Sequence, residues 1–319
     1  MYIDNKKIVA AGYPEEEHID REIRSTFNWA LIDICNFKCS YCSAGYGCDA
    51  SRPESNFFRD SNIHDSWRSV ITKLKLIRNC DWNVSLLGGE PTLHPELRSI
   101  ITSLIMINNC AEVCLITNMH KPLDYFIELY GDISNKKCWV NPSIHFQYDQ
   151  SRTINKIIEL KKTSLKVEPT IMLSDNENHW DDIQKFLDQC IDNDIIYNST
   201  LLEPAHGYVP EYNDMFFDRF TTYIQHGRAT GDDMYSVVTD DGNRRDVTVE
   251  DIFKNNIKSF KGWSCTPKSW HIREDGSIVN TCTKEPLTLG GGNISCKAIC
   301  PAEVCNCNEF WMYDKSTLE

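Results

Sequence analysis

The sequence predicts an α/β fold followed by a small cysteine-rich extension. Three observations support this prediction: β-rich runs alternate with helical stretches between Trp29 and about Pro204, two hairpin signals follow, and the end of the chain is rich in glycine and cysteine. Strands that alternate with helices form parallel βαβ units. We therefore expect the first part to be an α/β barrel or an open α/β sheet.

Six runs of mostly β-branched, aromatic and apolar residues predict the strands. They are residues 29–34, 83–87, 112–117, 139–146, 166–173 and 195–202. Five segments between them predict helices at 63–77, 95–107, 123–130, 153–162 and 179–191. Apolar residues between Trp67 and Ile77 recur on one helical face, and Pro95 suits the first turn of the second helix.

The pattern changes after Pro204. Residues 211–227 predict a further helix, and two hairpins are predicted around Asp241-Gly242 and Asp275-Gly276. From Leu289 onward the periodicity is weak, and such a tail needs a metal or a cluster to hold it. We divide the chain into an N-terminal extension at 1–28, the strand-helix unit at 29–230, and a bridging and cysteine-rich region at 231–319.

Composition excludes several classes of protein. With 41% hydrophobic and 25% charged residues, the 319-residue chain is globular rather than fibrous or disordered. The net charge of −13 argues against a nucleic acid partner. We expect no membrane partner and a cytoplasmic location, because no run approaches the length of a membrane span and the N-terminus lacks the apolar stretch of a signal peptide. In that compartment the 15 cysteines favour metal binding over disulfides.

The first cysteine group directly follows the first predicted strand. Cys35, Cys39 and Cys42 lie within eight residues of one loop, and thiolates are the ligands of iron–sulfur clusters. Three thiolates leave one iron of a cubane without a protein ligand, and an open metal position is where a substrate or cofactor binds. The alternatives are a zinc knuckle or a chance group of buried thiols.

Two motifs together resemble a known family. The spacing Cys35-x3-Cys39-x2-Cys42 with an aromatic at Tyr41, followed after the second strand by Gly88-Gly89-Glu90-Pro91, resembles the signature of radical S-adenosylmethionine (SAM) enzymes. The resemblance covers about residues 29–204 and implies a partial (β/α)6 TIM-like barrel. Without the cysteines, the glycine motif would be an ordinary strand-to-helix turn.

The resemblance also implies cofactors and their ligands. A [4Fe-4S] cluster on the three cysteines would bind SAM through its open iron, and an electron from the cluster would cleave SAM into methionine and a 5′-deoxyadenosyl radical. Tyr41 would lie against the adenine, and residues 88–91 would contact the methionine amino group. Glycines permit close approach of the backbone to a ligand, and Glu90 offers an acceptor to an ammonium.

Further candidates lie on later strands. Thr117, Asn118 and Ser143 occupy places where members of this family contact the SAM ribose or carboxylate, although turn chemistry and strand polarity are the alternatives. His145 and Cys48 are candidate catalytic groups. For His145, as for Glu168, a structural role is the alternative.

The second cysteine group lies in the tail. It comprises Cys265, Cys282, Cys296, Cys300, Cys305 and Cys307. Cys265 precedes the second hairpin and Cys282 closes it, which resembles the SPASM or shorter twitch extension that carries auxiliary [4Fe-4S] clusters in many radical SAM enzymes. The spacing departs from that pattern in each gap, and six thiols cannot fully ligate two cubanes. The six cysteines are compatible with one auxiliary cluster, with two, or with a structural zinc site.

The remaining six cysteines are expected to pack as small buried hydrophobes. They are Cys48, Cys80, Cys110, Cys114, Cys138 and Cys190.

The sequence therefore predicts a radical SAM enzyme whose substrate enters at the carboxyl ends of the strands. Its resemblance to enzymes with auxiliary clusters implies modification of a ribosomally made peptide by crosslinking, oxidation or epimerisation. The alternatives are dehydrogenation of a small alcohol or aminosugar and, in another class, a non-catalytic iron–sulfur or zinc protein in electron transfer or scaffolding. The resemblance also implies an electron donor such as flavodoxin or ferredoxin.

Overall fold

A computed structural model of the chain describes its fold in two sheets. The described residues are 2–3, 5–12, 25–42, 61–78, 80–131, 133, 137–202, 208–226, 235–247, 257, 259–282, 284, 286–287, 298–300 and 315–317.

The first sheet contains the predicted parallel strands. They are β3 (Ser25–Ile32), β4 (Trp82–Gly88), β5 (Cys110–Thr117), β6 (Cys138–Ile144), β7 (Lys166–Val167), β8 (Thr170–Leu173) and β9 (Asn198–Leu201). They pair in parallel in the order β3-β4-β5-β6-β8-β9, with β7 beside β6. Because helices connect these neighbouring strands, the sheet is consistent with the predicted partial TIM-like barrel.

Six α-helices and two short 3₁₀ helices are described. The α-helices are α1 (Ser61–Leu74), α2 (Leu97–Ile105), α3 (Leu123–Tyr130), α4 (Thr153–Lys161), α5 (Trp180–Asp192) and α6 (Asp214–His226), and the 3₁₀ helices are Pro91–Leu93 and Glu177–His179. All six predicted helices are confirmed, with ends that differ by up to three residues. None of the helices in the described ranges is long and apolar enough to cross a membrane.

One hydrophobic core lies between the strands and the helices. Phe27 and Trp82 on neighbouring strands are fully buried, and their rings meet edge to face with centroids 5.5 Å apart. Ile100 and Phe126 on the helices are equally buried in the same cluster. Burial of each such side chain stabilises the fold by about 1.5–3 kcal/mol, so this core holds the sheet and the helices together.

The predicted strand at 166–173 is interrupted. Pro169 has no N–H to donate to a sheet ladder, and the segment divides into β7 and β8 around it. The backbone remains bonded on both sides: Glu168 N donates to Val140 O at 3.0 Å, and Asn198 N donates to Pro169 O at 2.8 Å. The single predicted strand was therefore wrong in its continuity but right in its place.

The second predicted hairpin extends the first sheet. Strands β13 (Ser269–Ile272) and β14 (Ile278–Asn280) are antiparallel around Asp275-Gly276, which confirms the hairpin. Strand β13 also pairs in parallel with β3, with Trp270 opposite Phe27. The tail of the chain thus contributes strands to the same sheet that carries the first cysteine loop.

The second sheet joins both ends of the chain. Its seven strands are β1 (Tyr2–Ile3), β2 (Lys6–Gly12), β10 (Tyr235–Thr239), β11 (Arg244–Val247), β12 (Ser264–Cys265), β15 (Ala298–Ile299) and β16 (Lys315–Ser316). Strands β10 and β11 form the predicted hairpin at Asp241-Gly242, and β2 lies between β10 and β16. The division drawn at residue 29 falls inside β3.

A substitution at Ala10 tests whether β2 lies between β10 and β16 in the second sheet. Ala10 pairs with Val238 on one side and with Ser316 on the other. Ala10→Pro removes an N–H from a strand bonded on both edges, and we expect it to lower the free energy of local opening by about 1–3 kcal/mol. Amide hydrogen exchange at Val237 and Val238 measures this effect. Ala10→Val keeps the N–H and should leave exchange unchanged, and equal protection in both variants would contradict the pairing.

Candidate active site

The first cysteine loop, residues 33–42, follows β3 at the carboxyl end of the parallel sheet. The Cys42 N–H donates to Cys39 O at 3.1 Å, which closes a turn between two of the cysteines. The Phe37 N–H points at Cys35 Sγ at 3.4 Å. Cys39 is buried, and the other two thiols are partly exposed. The structure therefore places three thiols on one loop, where a group bound there remains accessible.

These three thiols suit an iron–sulfur cluster better than a single metal ion. Among the described residues, no three His, Cys, Asp or Glu side chains converge on one ion site. The thiolates of a cubane bind different irons, so they do not need to converge on one point. Burial raises the pKa of Cys35 to about 11, so binding of a cluster there would displace protons.

Gly88 and Gly89 bring the end of β4 against the start of the cysteine loop. Gly89 N donates to Ile32 O at 2.7 Å, and Glu90 N donates to Ile34 O at 2.8 Å. A Cβ on Gly89 would lie 2.0 Å from Ile34 O, and Gly88 has a φ of 130°. The backbone at Gly89 therefore approaches the chain's own backbone at Ile34, whereas the motif predicted a close approach to a ligand. Contact of these glycines with SAM stays a prediction.

The Glu90 carboxylate connects the ends of β4 and β5. It is 1% exposed. Its Oε1 accepts from Thr92 N at 3.0 Å, Thr92 Oγ1 at 2.6 Å and Thr117 Oγ1 at 2.7 Å, and its Oε2 accepts from Asn118 N at 2.8 Å. Four donors compensate the cost of burying the carboxylate.

Asn118 continues this network to the cysteine loop. Its side-chain amide donates to Asn36 Oδ1 at 3.0 Å and lies 4.0 Å from Cys35 Sγ. Thr117 and Asn118 were predicted as SAM contacts. The structure brings both to Glu90, and a contact of either with SAM remains a prediction.

Tyr41 and His145 pair across the site. The Tyr41 hydroxyl lies 3.1 Å from His145 Nδ1, and the two rings are stacked with centroids 5.8 Å apart. Burial lowers the pKa of His145 to about 4 and raises the pKa of Tyr41 well above its usual value. Both side chains are therefore neutral near pH 7. Ser143 is buried on β6, two residues before His145 and so on the same side of the strand.

Pro91 begins the 3₁₀ helix that follows Glu90, and it is buried there. Its missing N–H suits a first helical position.

One aromatic residue near Tyr41 had no sequence signal. The Tyr208 ring lies 5.8 Å from the Tyr41 ring, and the Tyr208 hydroxyl donates to the Asp175 carboxylate. Tyr208 comes from the segment between β9 and α6, far from either motif in sequence. Glu168, in contrast, forms an ion pair with Lys166 at 3.3 Å, as expected for a structural carboxylate.

Part of the second cysteine group is described. Strand β12 pairs with β15 in antiparallel register, with Cys265 opposite Ala298. Cys300 exchanges backbone hydrogen bonds of 2.9 Å with Gly262 and Trp263. Because Trp263 and Cys265 are two residues apart, the Cys265 and Cys300 side chains lie on the same face of this ladder. Cys282 is partly exposed just after β14. Cys48, Cys296, Cys305 and Cys307 lie outside the described residues.

The cysteines expected to pack do so where they are described. Cys110, Cys114, Cys138 and Cys190 are buried, and Cys80 packs against the core. Burial raises the pKa of both Cys110 and Cys190 to about 12, so these side chains remain uncharged thiols. They do not compete with the loop cysteines as ligands.

The comparisons with known proteins agree with this geometry. A family model for the Radical SAM superfamily matches residues 29–190, half of the chain, which includes both the cysteine loop and the Gly88-Gly89-Glu90-Pro91 motif. The chain belongs to the radical SAM superfamily. No curated protein matches the sequence significantly.

Two solved structures share the fold of this radical SAM protein. Streptococcus suis SuiB is 14% identical with a TM-score of 0.51, over 82% of this chain and 61% of SuiB. The match therefore spans less than two thirds of SuiB. The protein anSMEcpe, solved with bound AdoMet, is 15% identical with a TM-score of 0.50, over 82% of this chain and 77% of its own. Membership of the superfamily implies a [4Fe-4S] cluster and SAM as cofactors.

Gly89→Ala tests the close approach between β4 and the cysteine loop. The added Cβ would meet the backbone of Ile34, so the loop must move. We therefore expect the affinity for iron on anaerobic reconstitution to fall at least about tenfold, which corresponds to about 1.4 kcal/mol. Iron content per chain and the cluster absorption measure the effect. Gly242→Ala is the control, because a Cβ there meets open space and strains only a turn. Equal iron contents would refute the structural role of Gly89.

Glu90→Gln tests the carboxylate network. An amide has one oxygen, so its NH₂ group must face either the Asn118 or the Thr92 N–H, and one buried donor loses its acceptor. We expect a loss of about 1–3 kcal/mol in the free energy of unfolding of the cluster-free protein. Urea denaturation measures this change. Glu159→Gln on the exposed face of α4 should cost almost nothing, and an unchanged midpoint for Glu90→Gln would disprove the network.

Proposed function

We propose that this radical SAM protein modifies a ribosomally made peptide by crosslinking, oxidation or epimerisation, in the cytoplasm. The cluster and SAM, when bound, supply a 5′-deoxyadenosyl radical that abstracts hydrogen from a substrate carbon. The chain's own residues orient the cofactors and the substrate and keep water away. Cys35, Cys39 and Cys42 are the proposed cluster ligands, and a flavodoxin or ferredoxin is the proposed electron donor.

The main support for this proposal is the polarity of the side of the sheet that faces away from the helices. On β6, Val140 and Ile144 pack in the core with the helices. Side chains alternate along a strand, so the intervening residues face the opposite side. These residues are Trp139, Asn141 and Ser143, with His145 just beyond the strand. A wall of this polarity suits a substrate with many hydrogen-bonding groups.

The C-terminal region favours a peptide over a small alcohol. Cys265 and Cys300 share one face of the β12–β15 ladder, and the hairpin between Cys265 and Cys282 joins the parallel sheet. This arrangement suits the proposed auxiliary cluster or clusters, with Cys282, Cys296, Cys305 and Cys307 as further ligands. Enzymes that this extension resembles mostly modify peptides.

The test is anaerobic incubation with a synthetic peptide copied from the short reading frame nearest the gene. We expect wild type, with SAM and dithionite, to form 5′-deoxyadenosine and to lower the peptide mass by a pair of hydrogens for a crosslink or oxidation. Epimerisation would instead leave the mass unchanged in water and raise it by deuterium uptake in deuterated solvent. Glucosamine in place of the peptide tests the dehydrogenase alternative.

Two variants separate the possible outcomes. The triple variant Cys35→Ala, Cys39→Ala, Cys42→Ala should neither cleave SAM nor modify the peptide. The pair Cys265→Ala, Cys300→Ala should retain SAM cleavage and lose peptide modification. An unmodified peptide under conditions in which SAM is consumed would disprove the peptide assignment, and bound iron without any SAM cleavage would favour a non-catalytic iron–sulfur protein.

A further inference from the structure

The cysteine loop exposes backbone groups that need partners. Asn36, Lys38 and Ser40 are exposed between the cysteines. The N–H groups of Lys38 and Ser40 nevertheless donate to side chains, and both partners come from the segment just after β6, more than 100 residues away. We call residues 145–148 the β6 turn.

Gln147 holds Ser40 at two points. Its Oε1 accepts from Ser40 N at 3.0 Å, and its Nε2 donates to Ser40 Oγ at 2.6 Å. Ser40 immediately follows Cys39 and lies two residues before Cys42. A single side chain thus restrains the stretch between two of the proposed cluster ligands.

Tyr148 holds the preceding part of the loop. Its hydroxyl accepts from the Lys38 N–H, and its ring stacks on Phe37 with centroids 3.8 Å apart and planes 11° apart. His145 adds the contact with Tyr41. Three residues of the β6 turn therefore reach positions all along the cysteine loop.

The β6 turn is itself well supported. The Tyr148 N–H and the Gln150 side-chain amide both donate to His145 O at 3.0 Å. Gln150 O in turn accepts from Thr153 N at 2.9 Å, where α4 begins. The turn is thereby fixed to β6 at one end and to α4 at the other. It provides a firm base against which the loop can be held.

We propose that Gln147 and Tyr148 are positioning residues that hold the cysteine loop in the geometry required for cluster binding. Two hydrogen bonds to Ser40 and one to Lys38 restrain the backbone on both sides of Cys39. This role concerns the superfamily's cluster and does not depend on the proposed peptide substrate. Its readouts include properties of the cluster-free protein, so a failure here is distinguishable from a failure of the peptide assignment.

Gln147→Met is the first test, because it removes both bonds to Ser40 and keeps similar side-chain bulk. In the cluster-free protein we expect Ser40 amide hydrogen exchange, followed by NMR, to accelerate about tenfold. In the reconstituted protein we expect faster loss of iron to a chelator. Gln184→Met is the matched control: Gln184 also makes one donor and one acceptor hydrogen bond, but on the outer helices α5 and α6.

Tyr148→Phe tests the other contact separately. It keeps the ring on Phe37 and removes the acceptor of the Lys38 N–H. Exchange should accelerate about tenfold at Lys38 and remain unchanged at Ser40. Both variants leave the hydrophobic core untouched, so the urea midpoint of the cluster-free protein should stay close to that of wild type.

Gln147→Glu distinguishes positioning from general stability. The carboxylate still accepts from Ser40 N, and the Ser40 hydroxyl can rotate to donate to it, so protection at Ser40 should be retained. Because the loop is held in the same way, iron retention in this variant should also match that of wild type. Unchanged Ser40 exchange and iron retention in Gln147→Met, or Ser40 exchange in Gln147→Glu as fast as in Gln147→Met, would overturn the proposal.

Discussion

The site depends on the close contact between the ends of β3 and β4. The chain can form the two short hydrogen bonds from Gly89 N and Glu90 N only because no side chain at Gly89 occupies the space against Ile34 O. This contact fixes where Glu90 enters the interior, and Glu90 in turn fixes Thr117 and Asn118 at the end of β5. The ends of three neighbouring strands are therefore connected through one residue, Glu90, by its N–H towards β3 and by its carboxylate towards β5.

This connection gives the cysteine loop two kinds of support. Asn118 reaches Asn36 and approaches Cys35 from the side of β5. Gln147 and Tyr148 reach Ser40 and Lys38 from the side of β6. Cys39 and Tyr41 of this loop are buried, but the alternating residues Lys38 and Ser40 are exposed and have few apolar contacts, so the backbone there opens at low free-energy cost unless other groups hold it. Side-chain hydrogen bonds from two strand ends compensate for that weakness, while the thiols stay accessible.

The sequence was sufficient for the strands and helices of the parallel sheet, for the two hairpins and for the cysteine loop, because periodicity and motifs are local signals. It did not predict β1, β2, β12, β15 or β16. It was insufficient for contacts between distant segments. Gly88-Gly89-Glu90-Pro91 was recognised, but a backbone approach to Ile34 is invisible without the neighbouring strand. Gln147 and Tyr148 had no motif around them, and they lie 107 and 110 residues from their partners. The position of β2 between β10 and β16 was missed for the same reason, since strand pairing across the chain has no local pattern.

The same limitation bears on the second cysteine group. Strand β12 is only two residues long and is bonded on one side by β15 and on the other by β16. Such short strands contribute few ladder hydrogen bonds and little apolar burial. The hairpin β13–β14, in contrast, is anchored by β3. Cys265 thus lies between a weakly held ladder and a firmly held hairpin. A cluster bound by Cys265 and Cys300 of the ladder and by Cys282 after the hairpin would join these two parts and stabilise the ladder, because metal binding to a folded site adds directly to the folding free energy.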